Sequence, residues 1–163
     1  MSYKNSLDYL GKHLNNDIYY FSPETDHLEN LPNENWICLA IANKDFDKPF
    51  FEEFVVYSAN QGLLEFKAQG EFGELLHDYF DEIIIEYEFQ KNIETDIMTS
   101  WYNGKTNDLP NCLWDCFYAH ILPKDTDFTK TKIVCISFDK VNYKIILKDI
   151  ISKLNDGWLP PDD

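Results

Sequence analysis

The sequence predicts an α/β protein: a single three-layer domain with a mainly parallel sheet of about four or five strands and helices on both faces. Three observations carry this. From Trp36 onward, four short apolar runs alternate with four stretches of helical spacing, the order of strand-then-helix units. The first run, Trp36–Ala42, is apolar at every position, as in a strand buried on both faces. The 163 residues suit one domain, and 12 Phe, 10 Tyr and 4 Trp supply ring area for a substantial core.

Taken in order, residues 5–14 read as a short amphipathic helix, followed by the apolar stretch Ile18–Phe21. The polar segment Ser22–Asn35, with Pro23 and Pro32, is a loop, so residues 1–35 form an N-terminal helix and irregular extension. After the first strand, Pro49 opens a helix to about Asn60, with Phe50, Phe51, Phe54 and Val55 turned inward. Gly62 ends it, and Leu63–Ala68 is the second strand. Residues 71–88 form the next helix, and Ile97–Tyr102 the third strand, closed by a turn at Asn103-Gly104. Pro110 leads into a helix from about Asn111 to Leu122. Ile133–Phe138 is the fourth strand, and residues 142–155 the last helix. Residues 156–163 are an acidic tail, with Trp158 turned towards the body. Right-handed crossovers leave few topologies for such a chain.

The helix at 71–88, EFGELLHDYFDEIIIEYE, holds the clearest functional signal. Phe72, Leu75, Leu76, Tyr79, Phe80, Ile83, Ile84 and Tyr87 recur at the spacing of one buried face. Seven carboxylates and no lysine fill the remainder, so the outer face is expected to be an almost purely negative strip. Acids stack on acids at i, i+4 (Glu74–Asp78, Asp78–Glu82, Glu82–Glu86), a spacing at which like charges destabilise a helix by a few tenths of a kcal/mol per pair. A charge run is most often a solvated face, but an ordinary solvated helix mixes signs. Repeated repulsion points to compensation by a basic partner.

Composition narrows the partner. The chain has 29 acids against 14 bases, net -15, and all 14 bases are lysine. Without arginine it lacks the bidentate ligand for phosphate and guanine, and its field repels nucleic acid and anionic membranes. The N-terminal residues contain no continuous apolar signal segment, and no stretch approaches the ~20 apolar residues of a membrane span. Cys38, Cys112, Cys116 and Cys135 sit inside apolar segments and read as reduced, buried thiols of a cytoplasmic protein.

Other candidate sites are weaker. Asp45, Asp47 and Asp139 follow the first and fourth strands, where α/β sheets bind ligands, and form an alternative magnesium or small-ligand site beside Trp101. The turn Ala68–Gly73 has the glycine punctuation of a phosphate loop, but Glu71 and Glu74 would repel the phosphate. Cys112, Cys116 and His120 fall at i, i+4 and i+8, about 12 Å along a helix, too far apart for one ion. There is no nucleophile elbow, Walker loop or zinc-protease motif, and no cofactor is expected.

In size, acidity and aromatic content the whole chain resembles the immunity proteins of bacterial toxin systems, which neutralise cognate toxins, often basic nucleases, by covering the active site or a nearby surface. The strand Thr99-Ser-Trp-Tyr102 and the helix Cys112-Leu-Trp-Asp-Cys116 are similar to those of uncharacterised bacterial α/β domains. The leading expectation is a non-catalytic binder of a basic protein, such as a cognate toxin, through Glu74, Asp78, Asp81, Glu82 and Glu86, with Trp101 and Tyr102 as aromatic anchors. The rivals are the sheet-edge enzyme or ligand binder, and a regulatory interaction domain without a toxin.

Overall fold

The continuous apolar run becomes strand β3 (Trp36–Ile41), buried at every position, in a computed structural model that describes residues 6–102, 105 and 108–162. Its numbering follows two earlier strands, β1 (Asp8–His13) and β2 (Asn16–Phe21). Strands β4 (Leu63–Gln69), β5 (Met98–Trp101) and β6 (Lys132–Ser137) complete one sheet of order β1-β2-β6-β3-β4-β5. Only β1 is antiparallel to its neighbour; the four other pairings are parallel. The helices are α1 (Lys48–Ala59), α2 (Gly73–Lys91), α3 (Asp108–Tyr118) and α4 (Lys144–Asn155). The expected Asn103-Gly104 turn lies outside the described residues.

Two expectations fail at the N-terminus. Where a helix is expected at 5–14, the chain forms β1, and the irregular extension contains β2 and a short 3-10 turn at Leu28–Asn30. The sheet therefore has six strands instead of four or five. The physical reason is that Leu7 is buried in the α1–α2 cluster while Leu10 and His13 are buried on the opposite face, where a bulge between Tyr9 and Gly11 separates them by three. One extra residue turns the period of two into a spacing of three, which mimics a helix.

Alternate residues of β3 enter two apolar clusters. Trp36, Cys38 and Ala40 join a cluster with Phe51, Phe54 and Val55 of α1 and Leu76, Phe80 and Ile84 of α2. Ile37, Leu39 and Ile41 join Cys112, Cys116 and Phe117 of α3 and Leu147, Ile150 and Leu154 of α4. The chain order explains this division. The path β3-α1-β4-α2-β5 steps steadily in one direction, so right-handed crossovers place α1 and α2 on one side. The step from β5 to β6 runs back across β3 and β4, and the same handedness sends α3 to the other side.

Candidate functional site

The site is built from α1 and α2, which pack side by side. Asp47 caps α1, its Oδ1 accepting from the Phe50 amide at 3.1 Å, with Pro49 in the first turn. Phe51 and Phe54 face the core, which leaves Glu52, Glu53 and Val56 exposed. In α2, Leu76, Phe80, Ile84 and Tyr87 are buried, while Glu74, Asp78, Glu82 and Glu86 are exposed as expected. The strip is nevertheless not purely negative. Ile85 is 67% exposed and Phe89 87%, and Leu75, expected inside, is 42% exposed. Acids and large apolar side chains share the outer face of α2.

A groove runs along this surface. One part, of about 700 Å³, is lined by Glu52, Glu53, Val56 and Tyr57 of α1. A second, of about 220 Å³, is shared by Glu52 and Val56 with Ile83, Glu86, Tyr87 and Gln90 of α2. Glu52 and Val56 line both, so the two parts adjoin. The surface is shallow, with apolar side chains between carboxylates, and Lys91 also lines the second part. Glu52, Glu53, Val56 and Ile83 are the members that sequence reasoning missed. The acids of α1 are only two, and nothing in the sequence says that this helix lies against α2.

Charge is segregated between the helix pairs. α1 and α2 carry eight carboxylates (Glu52, Glu53, Glu74, Asp78, Asp81, Glu82, Glu86, Glu88) against Lys48 and Lys91. α3 and α4 carry Asp108, Asp115 and Asp149 against Lys144, Lys148 and Lys153. The helical part of the negative charge is thus concentrated on α1 and α2. Concentrated like charge of this kind raises the local concentration of cations and speeds encounter with a basic partner.

Trp101 and the acidic helix come together through His77. The His77 and Trp101 rings lie 4.6 Å apart between centroids. His77 Nδ1 is 2.9 Å from Asp78, and its Nε2 is 3.1 Å from the Thr99 hydroxyl, which also donates to Asp81 at 2.9 Å. This network fastens α2 to β5 and holds Asp81 and Trp101 beside the edge of the sheet. Trp101 remains 43% exposed. Tyr102 does not present an open ring: it is half-buried among the α3 and α4 cluster and donates its hydroxyl to Asp115. Burial, together with the Cys112 thiol and Asp115 nearby, pushes its phenol well above the ordinary range.

The three acids of the alternative site are each engaged separately. Asp47 caps α1, and Asp45 accepts from the Phe46 amide at 2.9 Å. Asp139 accepts from the amides of Asn43 and Val141 and, at 2.6 Å, from the Tyr143 hydroxyl. The sheet reverses its strand order between β3 and β6, the place where such folds bind ligands, and this network fills it. Among the described residues, no group of three or more His, Cys, Asp or Glu is placed to hold a metal ion. The glycine turn has a packing role: a Cβ on Gly70 would lie 2.3 Å from the Ala42 carbonyl oxygen, at a φ of +111°.

Cys112 and Cys116 are buried on the inner face of α3, and His120 lies beyond the end of that helix, stacked on Phe128 at 4.1 Å. Beneath them β4 carries a buried ion pair, Lys67 Nζ to Glu65 Oε1 at 2.9 Å. Sequence patterning missed it, because both residues lie in a run otherwise read as an apolar strand.

A sequence family described as a domain of unknown function (DUF7684) matches residues 18–153. The chain belongs to that family. The match begins in β2 and ends in α4, so it takes in α1, α2 and the groove between them. No curated protein and no solved structure matches the chain. Among the described residues, no helix is long and apolar enough to cross a membrane.

Proposed function

We propose that this chain is a non-catalytic binding protein, an immunity- or antitoxin-type inhibitor that holds a basic protein, such as a toxin nuclease, on its α1–α2 surface in the cytoplasm. The observation that carries the reading is the segregation of charge: eight of the helical carboxylates lie on the two helices that also form the groove. Exposed Ile85 and Phe89 among those carboxylates add what a solubilising surface does not need. Apolar anchors ringed by complementary charge are the usual anatomy of a protein contact. Glu74, Asp78, Glu82 and Glu86 supply the charge, Asp81 and Trp101 the border towards β5, and Tyr102 is a support behind it.

The test is affinity capture from the native host with wild type and with an Asp78→Lys, Glu82→Lys, Glu86→Lys triple variant. One basic protein should be retained at low salt, be released at high salt, and be lost with the triple variant while the variant keeps its fold. A partner that is captured equally by both proteins overturns the assignment of this surface. A neutral or acidic partner overturns the electrostatic reading itself.

A further inference from the structure

We infer that the open edge of β5 receives an extended, lysine-rich segment of the partner as a seventh strand of the sheet; this rests on the proposed binding of a basic protein. The sheet has two edges, and they differ. β1 carries the devices that discourage strand pairing: the bulge at Tyr9/Gly11 and the charged Asp8 and Lys12, with Lys12 3.8 Å from Asp17. β5, Met-Thr-Ser-Trp, has no charge, no proline and no break in its register with β4.

The backbone of β5 shows which groups are offered. The Tyr102 amide donates to the Ala68 carbonyl at 2.9 Å, so Tyr102 faces β4. In an extended chain each residue's N–H and C=O point to the same side, and the side alternates along the strand. Met98 and Ser100 therefore face β4 as well, while Thr99 and Trp101 turn both backbone groups to the open edge. Among the described residues, those four groups meet no hydrogen-bond partner.

The surroundings specify the side chains of the incoming strand. On the α2 side the edge is bordered by Asp78 and Asp81, which His77 and Thr99 hold in place, and by the exposed ring of Trp101. On the opposite side Met98 is 42% exposed and Ile121 60%, beside a hollow of about 360 Å³ that they line with Leu122 and Pro123, with Asp96 and Lys124 completing its lining. A strand with lysines at every second position would set its ammonium groups against the carboxylates and its apolar side chains against Met98 and Ile121. Main-chain hydrogen bonds would give affinity, and the alternating side chains would give selectivity. A second copy of this chain fits poorly, since pairing two β5 edges would bring two acidic α2 helices and two charges of -15 together.

The experiment is residue-resolved amide hydrogen exchange on the wild-type protein, with a capped octapeptide of alternating lysine and valine as the probe. A glutamate–valine octapeptide serves as the charge control. The Thr99 and Trp101 amides should exchange freely in the protein alone, and should slow by about tenfold or more with saturating basic peptide. Ser100, already bonded to β4, should not change, and the acidic peptide should have no effect. If the basic peptide binds and perturbs only α1 and α2, the edge inference fails while the basic-partner reading stands. If it does not bind, the edge inference fails, and the host-partner capture decides the broader reading independently. Protection of the same two amides that grows with protein concentration alone would assign the edge to a second copy and overturn the inference.

Discussion

Glu82 sits between Asp78 and Glu86 at i-4 and i+4 on the exposed face of α2, so replacing it with lysine tests whether this face has been kept acidic at a cost in stability. Each like-charged pair at this spacing costs about 0.2–0.5 kcal/mol, and each opposite pair stabilises by a similar amount. Glu82→Lys removes two repulsions and creates two attractions, so the sum is about 0.8–2 kcal/mol at low ionic strength. All three side chains are exposed, which places the realistic gain near the lower end, about 1 kcal/mol. Glutamate and lysine have similar helix propensities, so the backbone contributes little to the difference. The assay is thermal and urea unfolding at ionic strengths of about 0.01 M and about 1 M, where the screening length falls from roughly 30 Å to roughly 3 Å. The variant should melt about 2–4 °C above wild type at low salt, and the gain should fade at high salt. The same substitution should weaken capture of the basic partner. No gain at low salt, or a gain indifferent to salt, refutes the argument that the acids repel one another. A gain in stability with undiminished capture separates the repulsion from function and removes the binding explanation for it.

Three further outcomes follow from the interior. Lys67→Met leaves Glu65 as an uncompensated buried carboxylate and should cost about 3–5 kcal/mol, whereas the joint Glu65→Leu, Lys67→Met variant should recover most of that loss in urea unfolding. The four cysteines are buried, and burial raises the thiol of each, Cys116 to about 12, so iodoacetamide at pH 8 should label none of them until the protein unfolds. Stability should fall as the solution is made alkaline: burial and the bond to Asp139 raise Tyr143 from 10.0 to about 12. A group raised in the folded state favours folding in its protonated form, so this contribution is complete below pH 10 and is lost between about 10 and about 12. Cys116, raised from 9.0 to about 12, acts in the same direction from pH 9 upward. Denaturation midpoints that stay level between pH 9 and 12 contradict both assignments.

From β3 onward the elements were legible because their signals are local. The unbroken apolar run of β3, the Asp47–Pro49 start of α1 and the 3.6-residue spacing of α2 each fix a conformation within a few residues. β1 was misread for an equally local reason, the bulge at Tyr9/Gly11, whose effect on spacing is visible only once the partner strand is present. The site was half legible. The acids of α2 announced themselves by repetition, whereas Glu52, Val56 and Ile83 gained meaning only when α1 came to lie beside α2. Tyr102 shows the reverse: an aromatic at a strand end looked like an anchor, and the fold directed it to Asp115.

By itself, the sequence determined the order of elements from β3, the net charge of -15 and the identity of the acidic helix. These depend on neighbours along the chain and on composition. The tertiary structure decided which helices share a side, which strands form the edges of the sheet, and that Asp139, Asn43 and Tyr143 close the strand-order reversal. The physical reason is the handed crossover. One reversal of direction after β5 leaves α1 beside α2 and sends α3 to the opposite side, so acids that composition reports only as part of a sum come to share the surface of two helices.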